Sequence, residues 1–210
     1  MLAAGAAVAS FAVGNDIPMP FATQPPVEEK VPCESMSDMY ALTAVENLAK
    51  YLPRAVKDGG DLEARTHVAF ANTLSGVVMC LTLITSEHGM EHALSAYHPN
   101  LPHGAGLIMI SRAYFSYFVR NHACDERFIR LARAMGMPEA DKPEDFLTAL
   151  VRLQEACGVV GLKMSDYGIA FDEAEKFMRN AREVMGVMFT SDRVQMTDAD
   201  IVRIYEESWR

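Results

Sequence analysis

Apolar positions recur at helical spacing along most of this chain. Leu42, Val45, Leu48 and Leu52 follow one another every third or fourth residue, the period of a single helix face. Ser35 and Ser37 offer N-caps ahead of them, and Pro53 is expected to end the run before a Gly59-Gly60 turn. Asp61 can cap a second helix with Ala64, Val68, Ala71, Leu74 and Val78 on one face, where Ser75 and Gly76 would admit a close neighbour. Thr85 or Ser86 is expected to cap a third. The segment 105–119, AGLIMISRAYFSYFV, is apolar nearly all round, yet it contains Ser111 and is shorter than a bilayer span. It reads as a buried central helix. Four more helices follow: 125–135 ending at Gly136, 144–157 opened by Pro143 and closed by Gly158, 171–185, and a last one from Thr197 through Trp209. No alternating strand pattern of useful length occurs. From residue 35 to 210 the chain reads as an all-α multi-helix bundle.

The first 34 residues have a different texture. A small, apolar opening is broken at Gly14, five of the ten prolines precede Cys33, and the first cationic residue is Lys30. A secretory signal would need a basic start, and a membrane span roughly 20 apolar residues. The expectation is a Pro/Ala-rich leader, poorly ordered and distinct from the helical domain. A formal charge of −9 without a local Lys/Arg cluster argues against nucleic acid and anionic membrane as partners. Four scattered cysteines, none in a CxxC pair, fit the reduced thiols of a cytoplasmic protein.

Candidate chemistry is concentrated in one stretch. Four of the six histidines, His88, His92, His98 and His103, lie between Thr85 and Gly106. On a helix His88 and His92 share a face one turn apart, and a Pro/Asn-rich connection can turn a later imidazole back toward them. Such a helix and loop can build a metal pocket. The same letters, His88-Gly-Met-Glu-His92, also spell the H-x-x-E-H of one metallopeptidase class, with Glu91 as base, although five residues are weak evidence. Tyr114, Phe115, Tyr117 and Phe118 read as core aromatics, and Cys157 as a buried helix-end residue rather than a nucleophile.

Longer segments carry a resemblance. SDMYAL, LPRAVKDGGDLEAR, ANTLSG, SEHGMEHALSAYHPNLPHGAGLIMISR, CDERFIRLARAMG, KPEDFLTAL and LKMSDYGI together resemble the iron-containing (group III) alcohol dehydrogenases, over residues 35–210 and their C-terminal helical domain only. The resemblance implies interconversion of alcohols with aldehydes or ketones, using NAD(P) and a divalent metal, iron or sometimes zinc. It implies His88 and His103 as metal ligands and His92 as a catalytic neighbour of nicotinamide and substrate. A cation would polarise the substrate oxygen, and an imidazole beside it would pass the proton to water.

The departures are as informative. That family's other two ligands lie in a D-x-x-x-H helix just before the SDMYAL segment, and no such pattern occurs here; Asp16 is followed by Pro20. Gly104-Ala-Gly106 is no dinucleotide fingerprint, lacking the preceding strand. Hence the expectation of a truncated or inactive form with weak metal binding, His98 or less readily His67 being a possible extra ligand. The alternative is a non-catalytic module that pairs with a separate N-terminal half or forms a homo-oligomer, its apolar cut surface favouring association.

Overall fold

The computed structural model describes residues 36–82 and 84–210. The expected leader over 1–34 lies outside the described residues, as does the Ser35 cap. Eight α-helices and two short 3-10 turns make up the described fold, with no strand among the described residues. The helices are α1 (Met36–Lys57), α2 (Leu62–Leu81), α3 (Ser86–Tyr97), α4 (His103–Arg120), α5 (Asp125–Ala134), α6 (Glu144–Ala156), α7 (Ala174–Phe189) and α8 (Asp198–Ser208). Among the described residues no single helix is long and apolar enough to cross a membrane.

α1 and α2 form a hairpin. At its turn the Asp61 carboxylate accepts from the Ala64 N–H at 3.0 Å, the N-cap expected from sequence. Pro53, expected to end α1, lies inside it instead. Only one helical hydrogen bond is lost to the missing N–H, and Arg54 secures the last turn through Asp61 at 2.8 Å and Glu63 at 2.7 Å. Ser75 is buried, but Gly76 is exposed with nothing near the place of a Cβ, so the helix approach expected there does not occur. Near the start of α1, the buried Asp38 carboxylate accepts both ends of the buried Arg127 guanidinium of α5, at 2.8 and 3.0 Å. This fork ties the hairpin to the bundle.

The core gathers around α4, as its all-round apolar sequence implies. Tyr114, Phe115 and Phe118 are buried there, and Phe115 meets Phe146 of α6 edge-on at 5.2 Å between ring centres. α3 packs between α4 and α7, its middle carbonyl (Met90) accepting from the buried Tyr205 hydroxyl of α8 at 2.8 Å. Gly89 makes that packing possible: a Cβ there would stand 3.1 Å from the Met185 Cβ of α7. Consequently the histidine helix is enclosed along most of its length.

Candidate metal centre

α3 displays His88 and His92 from one face, and α4 begins at His103, with Pro102 at its N-cap position. The loop between them is short enough to bring the first residue of α4 back against α3. There the three imidazoles of His88, His92 and His103 each place a ring nitrogen within 4.8 Å of the others. His103 Nε2 faces His88 Nδ1 at 3.3 Å. The ring centres of His103 lie 5.3 Å from His88 and 5.1 Å from His92, and the two α3 histidines stand 6.5 Å apart. His88 is buried, whereas His92 and His103 are half-buried at the mouth.

All three rings are biased toward the neutral form. Burial pushes the His88 imidazole down to about 4, with help from the neighbouring His103 and His92 rings, and burial also lowers His92 and His103. Neutral imidazoles with free lone pairs are what a divalent cation requires.

A carboxylate orients the returning histidine. Glu91, fully buried, hydrogen-bonds to His103 Nδ1 and accepts from Ser95 Oγ at 2.5 Å. With Nδ1–H donated to Glu91, His103 Nε2 carries the lone pair toward His88. Gly106, one turn into α4, leaves room for this carboxylate; a Cβ there would stand 2.5 Å from Glu91 Oε1. Being spent on His103 and Ser95, Glu91 is poorly placed as the free base of a peptidase.

The other histidines are elsewhere. His98 pairs with Glu173 at 3.0 Å, and His67 hydrogen-bonds Asn47 at 2.7 Å while stacking on Tyr51 at 3.9 Å. Neither joins the cluster, so the extra ligands considered for His98 and His67 are not provided by this structure.

Two further acids frame the site that the sequence does not single out. Asp192, from the connection between α7 and α8, accepts from the Ser86 N–H at 3.2 Å and the Ser86 hydroxyl at 2.5 Å. It therefore supplies the carboxylate at the start of α3, where Thr85 makes no side-chain cap bond. Thr85 thus holds the N-cap position expected of it, while the side-chain bond of the cap comes from a residue far away in sequence. Glu87 accepts from Ser111 Oγ at 2.7 Å, and its other oxygen has no partner. Burial raises Glu87 to about 8 and Asp192 to about 7. Glu87 stands one turn before Glu91, a pairing visible in the sequence; nothing local could have pointed to Asp192.

An all-α domain that presents three converging imidazoles, one of them held by a buried carboxylate, carries a donor set of the kind from which divalent-cation sites are built. The chain belongs to the Fe-containing alcohol dehydrogenase family: that family's C-terminal profile matches residues 30–209. It is 29% identical over 183 residues to a long-chain primary alcohol dehydrogenase of Thermoanaerobacter ethanolicus, covering 82% of this chain and 44% of that protein. It is 31% identical over 143 residues to the human mitochondrial hydroxyacid-oxoacid transhydrogenase, covering 62% of this chain and 27% of that one. Among solved structures, an archaeal halo-thermophilic alcohol dehydrogenase from a Red Sea brine pool superposes with a TM-score of 0.76 at 27% identity, over 81% of this chain and 44% of its own. The chain thus spans less than half the length of these relatives. The all-α architecture and the family resemblance read from sequence both hold.

Proposed function

We propose that this chain is the metal-binding half of an NAD(P)-dependent oxidoreductase acting on small alcohols and aldehydes. One observation carries the reading: the histidines of the HGMEH helix and the PHG turn converge, each with a ring nitrogen within 4.8 Å of the others. The donors fit a divalent cation, iron or zinc, with His88 and His103 as its ligands. When bound, such a cation polarises an alcohol or carbonyl oxygen. His92, half-buried at the mouth and neutral, is placed to receive the alcohol proton and return it to water. Glu91 holds His103 in the tautomer that ligation needs. For the nicotinamide dinucleotide the described residues form no cradle, since no strand leads into a glycine-rich turn. That half of the chemistry must be supplied by residues other than these.

The test is an NAD(P)H-linked aldehyde reduction with the purified 210-residue chain, alone and mixed with the dinucleotide-binding half of a relative. We expect no turnover alone and metal-dependent turnover in the mixture. Substantial reduction by the chain alone would overturn the division of labour. No metal-dependent turnover in a mixture shown to associate would overturn the dehydrogenase reading.

A further inference from the structure

We propose that in this chain His92 is itself a metal ligand, so that His88, His92 and His103 form a three-histidine site for a tetrahedral divalent cation. This rests on the reading of His88 and His103 as ligands, and changes the role of the third ring.

Geometry supplies the first argument. Two nitrogens each ~2.05 Å from a tetrahedral zinc stand about 3.3 Å apart. His103 Nε2 and His88 Nδ1 stand 3.3 Å apart. Ring centres then lie roughly 5.2 Å apart, if each is ~3.2 Å from the cation. The His88–His103 and His92–His103 separations, 5.3 and 5.1 Å, match this value. Only the His88–His92 pair, at 6.5 Å, is wide. Its two rings are one helical turn apart, and closing the gap requires the half-buried His92 ring to rotate about its own side-chain bonds.

The remaining arguments concern what else holds these rings. His103 is fixed by Glu91, which leaves its Nε2 for the cation. Among the described residues His88 Nε2 is buried with no hydrogen-bond partner, so that ring is held through its Nδ1 contact with His103 alone. Among the described residues no hydrogen bond anchors the His92 ring, and the rings that face it are those of His88 and His103. The sequence holds no D-x-x-x-H that would complete a carboxylate-containing set. Three neutral nitrogens with one open position are the donor set of a catalytic zinc, and a nitrogen-only set favours zinc or cobalt over ferrous iron.

The experiment is a titration of the 210-residue chain with Co(II) and Zn(II), by calorimetry and by the visible absorption of bound Co(II). His88→Ala, His92→Ala, His92→Gln and His103→Ala are compared, with His98→Ala as a control and circular dichroism reporting folding. We expect one cation per chain and intense tetrahedral Co(II) bands. His88→Ala and His103→Ala should weaken binding by about 100-fold or more. His92→Ala and His92→Gln should weaken it by at least about 10-fold and bleach those bands as water replaces the ring. In the wild-type chain, zinc should shift the His92 ring resonances together with those of His88 and His103. Unchanged affinity and spectrum in both His92 variants, or a stationary His92 resonance, would overturn this inference and leave the two-ligand reading standing. Unchanged binding in His88→Ala and His103→Ala would remove the metal reading itself.

Discussion

α2 and α4 are alike in composition and opposite in fate. Both are long, largely apolar, and nearly free of charge through their middles. α4 is enclosed by α3, α6 and α8 and buries eleven of its 18 residues. α2 packs chiefly on α1 and buries four of 20, leaving Leu62, Phe70, Val77, Met79 and Leu81 exposed. An apolar helix therefore does not announce whether it is a core or a face; its neighbours decide. The complete side of this molecule is the one that builds the histidine cluster, and the open side is α2.

The comparison is broken most forcefully from the α4 side. Phe115 is buried and touches both Phe128 and Phe146. Phe115→Ala should cost about 3–5 kcal/mol through lost burial and the cavity left behind. Denaturant unfolding of the metal-free chain measures it. A cost below that of a surface truncation would mean that α4 is not the centre of the core.

Gly106→Ala acts where α4 meets the site. Its methyl would collide with the Glu91 carboxylate and Cγ, so Glu91 must leave His103 or the helices must part. We expect a loss of about 1–3 kcal/mol in stability. Zinc affinity should fall roughly 10-fold or more as His103 loses its orienting partner. Glu91→Gln, which keeps the shape and drops the charge, should cost less stability while still weakening zinc.

Much of this was legible in the sequence because it is local. The 3.6-residue period gave the helices, Asp61 and Thr197 their caps, and the HGMEH and PHG segments the ligand-bearing elements. Asp61 bonds within its own turn, and Thr197 shares a reciprocal cap with Asp200 three residues on. What stayed hidden depends on distant partners. The Asp38–Arg127 fork, the Asp192 cap on α3 and the Tyr205 bond to Met90 link residues dozens to over a hundred positions apart. No local pattern encodes them. The orientation of Glu91 belongs to the same class: its spacing from the histidines is readable, its contact with His103 is not. Pro53 inside α1 shows the converse, a strong local stop signal overridden at modest cost by ion pairs across the turn.

Buried acids behind α3 provide a pH test. In the folded chain burial raises Glu87 to about 8 and Asp192 to about 7, whereas unfolded carboxyls titrate near 4. Between these values the folded state binds more protons than the unfolded one, so stability falls as pH rises. His88 acts in the opposite sense, because its folded value is lowered to about 4; its contribution is lost only as pH falls below about 6.5. From pH 6.5 to 8 the acids dominate the slope, opposed by the tail of the unfolded imidazoles' titration, since burial lowers His92 and His103 as well as His88. The metal-free chain should lose on the order of 2 kcal/mol across that interval. Glu87→Gln together with Asp192→Asn should flatten the loss, as read by denaturant midpoints. A wild-type profile that is flat, or that rises with pH, would show that these acids are ionised in the folded state.

The smallest effect on stability should come from the open side. Phe70 and Val77 are seven residues apart on α2, two helical turns, and both are exposed, at 48% and 38%. Phe70→Ser and Val77→Ser remove apolar surface that the folded chain already leaves to water. Unfolding free energies should therefore change by no more than about 0.5 kcal/mol. Association is the quantity that should move. No Lys, Arg, Asp or Glu occurs in the chain between Arg65 and Glu87, so the net charge of −9 does little to keep two such faces apart. Concentration-dependent light scattering should show the parent chain associating and the double variant doing so less. If both scatter as monomers, the apolar side of α2 is tolerated by water. If the double variant instead unfolds with the severity of Phe115→Ala, α2 is core like α4, and the contrast between the two helices fails.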